Sequence, residues 1–495
     1  MERYTRRVFL RHLARITVAA ASGFAPRVGI CSSPERVIVV GAGLAGLCAA
    51  HELTVLGRDV MVLEAQTRAG GRVQTLRDPF DDGLFAEAGA SRIPTSHDLT
   101  LKYVREFGLT LVPFEPANLP SIRFVCGERA KVRSGTSFTW PTGIPADQKR
   151  LTPEDIRKRY IAPLIDEIKD PFSPSRVPES LKEYDRVTRD EYLRKKGVSE
   201  AALHMMNLGS TPMARFRSFL DVLYENAVDR ELRRRCGVQE VRFLKIDKGN
   251  DRLPGAFASR LSSRIQFGCA VHRIEHDALG ARVFFRSGGQ VEFFLDASHV
   301  ICAIPFSTLR SVAFCPALSP EKRSAIDALN YESVTRIYLQ SRDRYWVREG
   351  LSGFAETDHP MEIWDSTYGQ PGSRGILMTY HRGPKALELE GQPEATQLRF
   401  GVETVEQVLP GIAANFERGY VKSWDRDPWA RGATAYLLPG QALSVQQHIA
   451  TPEGRIHFAG EHASSLRGWM QGALESGRRA AIEIDPAASA SVNRL

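Results

Sequence analysis

Residues 37–46 read Val37-Ile-Val-Val-Gly41-Ala-Gly43-Leu-Ala-Gly46. The four leading residues are apolar and β-branched, which predicts a strand that is buried on both faces. Gly41 permits a tight turn, Gly43 lets the backbone approach a pyrophosphate, and Gly46 lets the following helix pack closely on the strand. The pattern therefore predicts a dinucleotide-binding unit, with the pyrophosphate at the helix N-terminus.

The residues that follow fit the same unit. Residues 44–56 predict a helix that Gly57 ends, and residues 60–63 predict a second strand. Glu64 comes directly after that strand, about twenty residues past the glycines, where an acid binds ribose hydroxyls. Because strand, loop, helix and acid occur together, an accidental tight turn is the weaker interpretation.

Two distant segments resemble the flavin amine oxidase family. Residues 64–72 end in Gly70-Gly71-Arg72, similar to that family's glycine-glycine-arginine extension, and residues 456–462 resemble its second flavin segment. The resemblance implies FAD as the cofactor. With the glycine motif, it implies these cofactor-binding residues: Gly41, Gly43, Ala45, Gly46, Glu64, Ala65, Gly70, Gly71, Arg72, Ala90, Ser91, Arg92, Val271, Trp424, Gly460, Glu461, Trp469 and Met470.

The alternation of strand and helix patterns, together with this resemblance, predicts an α/β protein. Its parts are a discontinuous Rossmann-like FAD-binding domain, a mixed-sheet substrate domain and a helical insertion. The predicted segments are a twin-arginine-like signal region at 1–30, the FAD-binding domain at 36–98, 240–308 and 431–487, the substrate domain at 99–144 and 309–430, and the helical domain at 145–235. The active site is expected where these domains meet the flavin ring.

Residues 88–94 resemble the segment of bacterial L-amino-acid oxidases whose arginine binds the substrate α-carboxylate, and here that arginine is Arg92. A guanidinium forms a bidentate pair with a carboxylate, which amine substrates lack. Residues 377–380 resemble the strand whose tyrosine, here Tyr380, meets the same carboxylate. The competing interpretations are a surface arginine before a proline turn and a tyrosine that only packs in the core.

Residues 467–472 resemble the family's glycine–tryptophan segment, which faces the flavin. The resemblance implies that the Gly468 carbonyl accepts a hydrogen bond from the substrate amine and that Trp469 walls the pocket. Trp469 as ordinary core packing is the alternative. Trp424 is interpreted mainly as a packing wall near the flavin.

Residues 331–339 resemble a strand on which the family usually carries a lysine that holds a water against flavin N5. The aligned residue here is Arg336. An arginine keeps the positive charge but cannot lose it, and its planar head is larger. This departure leaves the rate of reaction with O2 open, while FAD binding is unaffected.

The resemblance implies an FAD-dependent L-amino-acid oxidase. Hydride would pass from the substrate Cα to flavin N5, the imino acid would hydrolyse to a 2-oxo acid and ammonia, and O2 would be reduced to hydrogen peroxide. No catalytic base is required. The candidate catalytic residues are Arg92, Tyr380, Gly468, Trp469 and Arg336.

Three alternatives stay open at this stage. An L-amino-acid monooxygenase would yield an amide by oxidative decarboxylation, and an amine or polyamine oxidase would ignore the carboxylate. A flavoprotein without catalysis could serve as a binding module. The side-chain preference of the substrate is not visible in the sequence.

Composition narrows the class further. The chain has 495 residues, 43% of them hydrophobic, enough for two or three domains. The net charge is +8, but residues 1–35 carry six arginines against two glutamates, which leaves about +4 for the rest. We therefore expect no nucleic-acid partner. Seven cysteines without a CxxC pair predict neither a disulfide framework nor a metal site.

Residues 5–11, which contain Arg6-Arg7, resemble the twin-arginine export signal. A periplasmic or secreted location is expected, and a basic arm on a cytoplasmic protein is the alternative. The apolar run that follows is too short for a stable membrane anchor. By family resemblance alone, a homodimer is expected.

Overall fold

The computed structural model describes residues 28–29, 35–133, 138–173, 176–209, 215–288, 291–358 and 362–493. The predicted signal region at 1–30 lies outside them except for residues 28–29, so the export signal stays a prediction. Among the described residues, no helix is both long and apolar enough to span a bilayer.

A parallel five-stranded sheet forms the centre of the dinucleotide-binding part. Its strands are, in spatial order, Ile265–Phe267, Val60–Glu64, Val37–Val40, His299–Cys302 and Ile456–Phe458. All four residues of Val37–Val40 are buried, as the apolar run predicts. The chain leaves this strand toward one edge of the sheet and later returns on its other side. Such a switch point opens a crevice at the carboxyl ends of the strands.

Helices Leu44–Val55, Asp98–Glu106, Arg252–Leu261 and Met470–Ile484 share one apolar core with this sheet. On the other side, a second core joins it to a second sheet and to short helices. The second sheet has the order Val28–Gly29, Val291–Ala297, Ala281–Ser287, Cys269–His276 and Ala313–Cys315.

A mixed seven-stranded sheet, called here the substrate sheet, forms the other large layer. Its strands, in spatial order, are Phe416–Ser423, Val334–Ser341, Gly375–Arg382, Glu362–Asp365, Ala355–Thr357, Ser121–Val125 and Glu128–Val132. The helices Pro384–Glu390 and Glu394–Val408 pack on it. Helices and sheets together confirm the predicted α/β class with a mixed-sheet second domain.

The predicted helical insertion contains Pro153–Ile156, Ala162–Glu167, Arg189–Lys195, Glu200–Met206 and Phe219–Cys236, around a core of its own. The Thr152 side chain accepts a hydrogen bond from the Asp155 N–H and so caps the first of these helices.

Smaller elements complete the described chain. The remaining strands are Thr75–Leu76 with Ala86–Glu87, Ile93–Pro94 with Phe243–Ile246 and Leu111–Pro113, and Asn330–Tyr331 with Ala435–Tyr436. The remaining α-helices are Phe306–Leu309, Pro320–Ala328, Tyr345–Arg348, Ile412–Asn415, Gln441–Ser444 and Gln446–Ala450. The 3-10 turns are Ala146–Gln148, Glu179–Arg186, Ser262–Arg264, Glu461–Ala463 and Pro486–Asn493, and Arg157–Ile161 is a π-turn.

One predicted boundary differs from the structure. Residues 99–113 are predicted in the substrate domain, but the helix Asp98–Glu106 buries Tyr103 and Val104 in the core of the parallel sheet. The following strand Leu111–Pro113 pairs with Phe243–Ile246, not with the substrate sheet. The first strand in the substrate sheet is Ser121–Val125.

Candidate active site

A cavity of about 660 Å³ lies between the parallel sheet, the substrate sheet and the helical insertion. Val40, Glu64, Ala303 and Gly460 line it, each at or just past the carboxyl end of a parallel strand. The cavity thus occupies the crevice that the switch point of the sheet creates. Its size is within the range of about 300–1,000 Å³ that is usual for ligand and cofactor sites.

The three motif glycines meet different needs in the structure. Gly41 has a φ of +102°, which favours glycine. A Cβ on Gly46 would lie 2.0 Å from the Gly41 carbonyl oxygen, so only glycine permits the close helix. A Cβ on Gly43, which lines the cavity, would meet no heavy atom of the described residues within 4 Å. That free space at the N-terminus of the helix Leu44–Val55 fits a pyrophosphate.

Glu64 completes the dinucleotide end of the cavity. Its carboxylate accepts hydrogen bonds from the Ala42 N–H at 2.6 Å and the Gln66 N–H at 2.8 Å. Burial raises the pKa of Glu64, opposed by the N–H donors of Gln66 and Ala42. These bonds fix the side chain at the cavity wall, the position that a ribose-binding acid requires.

Arg72 connects an early and a late segment of the chain beside the cavity. Its Nη1 donates to the Ala433 carbonyl at 2.5 Å and to the Glu461 carboxylate at 2.7 Å. The other Glu461 oxygen accepts from the Gly468 N–H at 2.8 Å. One buried acid therefore holds both the glycine-glycine-arginine segment and the glycine–tryptophan segment.

Val271 lies at an irregularity of the strand Cys269–His276. The register with the strand Ala281–Ser287 shifts between Val271 and Arg273, so His272 is an extra residue in the pairing. Such a bulge releases backbone groups from the ladder and often lies next to a functional site. It gives a structural reason why the Val271 backbone is available to a ligand in the cavity.

Nearly all predicted cofactor residues line this one cavity. They are Gly41, Gly43, Ala45, Glu64, Ala65, Gly70, Gly71, Arg72, Ala90, Ser91, Arg92, Val271, Trp424, Gly460, Glu461, Trp469 and Met470. Gly46 lies behind the wall, consistent with its predicted packing role. Trp424 is buried and donates its indole N–H to the Ala88 carbonyl at 2.9 Å, which fits a packing wall.

The register of the substrate sheet sets a row of polar side chains across three strands. Tyr380 is directly opposite Arg336 on one neighbouring strand and Glu362 on the other. Cross-strand partners present their side chains on the same face of the sheet. Arg336 and Tyr380 both line the cavity.

Arg92 contacts Glu362, the residue at one end of this row. One Nη atom lies 3.3 Å from the Glu362 carboxylate. The guanidinium is also surrounded by aromatic rings, with Trp364 at 4.7 Å, Phe243 at 5.0 Å and Phe114 at 6.0 Å from the ring centroids. The Arg92 side chain keeps 23% of its surface exposed, and it lines the cavity. An aromatic cage thus orients a partly free guanidinium toward the cavity.

Tyr380 lies between two other guanidinium groups. The centroid of its ring is 4.3 Å from Cζ of Arg336 and 4.2 Å from Cζ of Arg382. Burial acts to raise the pKa of the Tyr380 hydroxyl, but the charges of Arg382 and Arg336 overcome it, so that the pKa lies below its ordinary value. The hydroxyl is consequently a better hydrogen-bond donor than an ordinary tyrosine.

The Arg336 head group donates to protein oxygen atoms, whereas the family resemblance implies a lysine that holds a water molecule at this position. Its Nη1 donates to the carbonyls of Glu87 and Gly89, at 2.9 and 2.7 Å, and to the Ser91 hydroxyl at 2.9 Å. The head group is therefore fixed to the segment before Arg92. Its buried Nε has no hydrogen-bond partner among the described residues.

Three polar residues of this wall were missed by the sequence analysis. Arg382 and Glu332 line the cavity and form an ion pair at 3.6 Å, and Glu362 pairs with Arg92. Strand periodicity contained a signal for one of them, because Arg382 is two residues past Tyr380 on the same strand and so shares its face. Glu332 lies before the strand Val334–Ser341, where this periodicity does not apply. Glu362 comes from a strand that no motif marked.

Gly468 and Trp469 also line the cavity. Gly468 has a φ of +79°, and its backbone is held by Glu461 as described above. The Trp469 ring packs edge-on against His97 at 5.0 Å between centroids. Burial lowers the pKa of His97 to about 3, so this histidine is neutral at physiological pH. The ring that packs against Trp469 is therefore uncharged.

Comparisons with known proteins agree with this geometry. The family profile described as flavin containing amine oxidoreductase matches residues 44–485. YobN of Bacillus subtilis (strain 168), whose name gives L-amino-acid oxidase as an inferred activity, is 32% identical over 475 residues, covering 93% of this chain and 97% of that protein. An L-amino-acid oxidase of Demansia vestigiata is 29% identical over 469 residues, covering 92% and 88%.

Solved structures show the same fold. A putrescine oxidase bound to putrescine superposes with a TM-score of 0.80 at 22% identity, covering 93% of this chain and 99% of that one. The cyclohexylamine oxidase of Brevibacterium oxydans IH-35A gives 0.77 at 21% identity, covering 92% and 99%. The chain therefore belongs to the flavin containing amine oxidoreductase family, and its cofactor is FAD.

Proposed function

We propose that this protein is an FAD-dependent L-amino-acid oxidase. The observation that carries the proposal is the partly free guanidinium of Arg92 next to Tyr380. Arg92 lines the cavity, keeps 23% of its side-chain surface exposed and makes one contact of 3.3 Å with Glu362. Its remaining N–H donors suit a substrate that carries a carboxylate. The names of the relatives at 32% and 29% identity support the same substrate class.

The chain's own residues then have distinct roles. Arg92 and Tyr380 bind the α-carboxylate, since the first has free donors in the cavity and the second has an acidified hydroxyl. The Gly468 carbonyl accepts from the substrate amine, and Trp469 limits the pocket on that side. Arg336 and Arg382 position Tyr380 and keep its pKa low. These residues orient the Cα–H bond and exclude water from it.

The oxidation itself is two-electron chemistry that FAD supplies when bound. The amino acid loses a hydride equivalent and a proton to become an imino acid, and water converts this to a 2-oxo acid and ammonia. Dioxygen takes up the two electrons and two protons and leaves as hydrogen peroxide. No residue of the described cavity wall is assigned as a catalytic base.

A second candidate, an amine or polyamine oxidase, is favoured by one observation. The Glu332 carboxylate is buried in the cavity wall, where it offers an acceptor to an ammonium group. Glu332 is, however, already paired with Arg382 and accepts from the Thr434 hydroxyl at 3.3 Å. These partners make it a weaker anchor for a cationic substrate than Arg92 is for an anionic one.

The deciding experiment compares each L-amino acid with its decarboxylated amine. The purified flavoprotein is mixed anaerobically with either compound, the flavin spectrum is recorded, and air is then admitted. Bleaching by amino acids alone, followed by peroxide and a 2-oxo acid, is expected. Bleaching by the amines alone would overturn the proposal, and an amide with CO2 as products would assign a monooxygenase instead.

Export through a twin-arginine signal and assembly as a homodimer also stay proposals. N-terminal sequencing of the mature protein and its mass in solution test them separately.

A further inference from the structure

Three metal-binding side chains from different elements meet outside the cavity. Cys126 lies on the turn after the strand Ser121–Val125, His204 on the helix Glu200–Met206, and Asp358 directly after the strand Ala355–Thr357. One donor atom of each lies within 4.8 Å of the other two. We propose that Cys126, His204 and Asp358 form a binding site for a divalent metal ion of the zinc type.

The spacing of the donors matches a tetrahedral ion. The Nε2 atom of His204 is 3.8 Å from Oδ2 of Asp358. Zinc binds nitrogen, oxygen and sulfur ligands at about 2.0–2.3 Å, so neighbouring ligands of a tetrahedral site are about 3.3–3.8 Å apart. The histidine and the carboxylate therefore need little movement to share an ion. Three protein ligands leave the fourth position to a water molecule.

The state of His204 points to a missing partner. Its Nε2 atom is buried and has no hydrogen-bond partner in the part of the chain that the structure describes. At 3.8 Å, Asp358 is too far away for a hydrogen bond. A buried ring nitrogen left without a partner costs free energy. A metal ion between His204 and Asp358 would satisfy that nitrogen.

The Cys126 turn is built around the same carboxylate. The backbone N–H of Cys126 donates to Oδ2 of Asp358 at 2.9 Å, across 232 residues of sequence. Cys126 and Gly127 have φ values of +53° and +79°. A two-residue turn with both values positive favours Asn-Gly or Asp-Gly, so a cysteine at the first position is unusual. A role for the thiol offers a reason for it.

Binding of the metal ion at this site requires no oxidant or other reactant. The ligand is the thiolate, so binding releases the Cys126 proton to solvent, while His204 binds as the neutral ring and Asp358 as the carboxylate. Thiolate, imidazole and carboxylate together favour zinc over the hard cations magnesium and calcium.

The site would join two parts of the molecule. His204 belongs to the helical insertion, whereas Cys126 and Asp358 belong to the substrate sheet. Gly209, five residues past His204, lines the cavity, and its ideal Cβ position is 3.4 Å from the Glu356 carboxylate. A metal ion here would therefore fix the cavity wall formed by the end of this helix.

The test uses the full-length flavoprotein. The protein is stripped with a chelator, dialysed against zinc, and its metal and flavin contents are measured per chain. Cobalt titration then reports the coordination, because tetrahedral cobalt with a thiolate gives ligand-field bands at longer wavelengths than the flavin. We expect one zinc ion per chain, and zinc should raise the Tm of the protein.

Matched variants decide the assignment. Cys126→Ser, His204→Gln and Asp358→Asn should each weaken zinc binding by more than about tenfold. Cys315→Ser changes another exposed free cysteine and should bind zinc as the parent does. An unmodified protein that binds no zinc, or a Cys126→Ser variant that binds it normally, would overturn the proposal. Cys126 is exposed on a turn, so this variant should fold, and its flavin content checks that it has.

Discussion

At the scale of single residues, the aromatic rings around Arg92 orient its guanidinium without neutralising its charge. The rings of Trp364, Phe243 and Phe114 surround the guanidinium without accepting a conventional hydrogen bond, which leaves N–H donors for a ligand. Glu362 takes only one of these donors, at 3.3 Å. A substrate carboxylate can therefore be bound without first breaking a strong bidentate ion pair.

Replacing Arg92 by methionine should lower kcat/KM for L-amino acids by about 10- to 100-fold, because a charge-assisted hydrogen bond contributes about 1.5–3 kcal/mol. The slow background turnover of the decarboxylated amines should hardly change. Steady-state kinetics on matched amino acids and amines measure both. Replacing Arg92 leaves the carboxylate of Glu362 unpaired, so Glu362→Gln serves as the control for that effect. An equal loss on both substrate types would contradict the assigned role of Arg92.

At the residue scale, short motifs select positions that lie close together in the structure, while the roles of these residues stay predictions. Arg92, Tyr380 and Arg336 were selected from short motifs, and the structure brings them together around one cavity wall. The direction of the Arg336 head group was not predictable, because it depends on carbonyls of Glu87 and Gly89, about 250 residues away in the chain. Long-range partners of this kind have no local signal.

At the scale of elements, two glycines of the first strand–loop–helix unit have different roles, one in packing and one in ligand binding. Gly46 lets the helix Leu44–Val55 contact the strand before it, while Gly43 leaves free space in front of the helix N-terminus. The sequence motif predicted both tasks, since each follows from local geometry.

Two alanine substitutions should separate these tasks. Gly43 has φ −72° and ψ 172°, which alanine adopts freely, so Gly43→Ala should leave the Tm of the apoprotein unchanged and weaken FAD binding. Gly46→Ala places a Cβ 2.0 Å from a carbonyl oxygen and should destabilise the fold by about 1–3 kcal/mol or more. Thermal unfolding of the apoproteins and flavin titration measure the two effects. Normal FAD affinity in Gly43→Ala would refute a pyrophosphate at that position.

Element boundaries were less predictable than element types. The sequence predicts residues 99–106, most of the helix Asp98–Glu106, in the substrate domain. Its apolar side chains Tyr103 and Val104 could cover either domain, and only the three-dimensional arrangement selects the parallel sheet. Amphipathicity predicts that a helix packs, but not which partner it packs on.

At the scale of the whole molecule, buried neutral histidines connect stability to pH. His97 is 3% exposed, and burial lowers its pKa from 6.5 to about 3. Burial likewise holds the pKa of His462 well below its ordinary value. Below about pH 6.5 the unfolded chain binds protons that the folded chain does not, so stability is lost as pH falls toward the folded values.

The Tm of the flavoprotein should therefore fall more steeply, or rise less, between about pH 7 and about pH 5 than the Tm of His97→Asn. At about pH 5, the shifted pKa of His97 alone should lower the free energy of unfolding by about 2 kcal/mol, since each pKa unit corresponds to about 1.4 kcal/mol. Thermal unfolding of both proteins across this range measures it. Parallel pH profiles for the two proteins would show that His97 makes no such contribution.

The discontinuous assembly of the FAD-binding domain has a consequence for biosynthesis. Arg72 and its partner Glu461 are 389 residues apart, and the edge strand Ile456–Phe458 is also a late segment. A nascent chain emerging from the ribosome carries the glycine motif long before it carries the acid that holds Arg72. Loading of the flavin is thus a post-translational event, and truncated translation products that stop before residue 456 should emerge colourless.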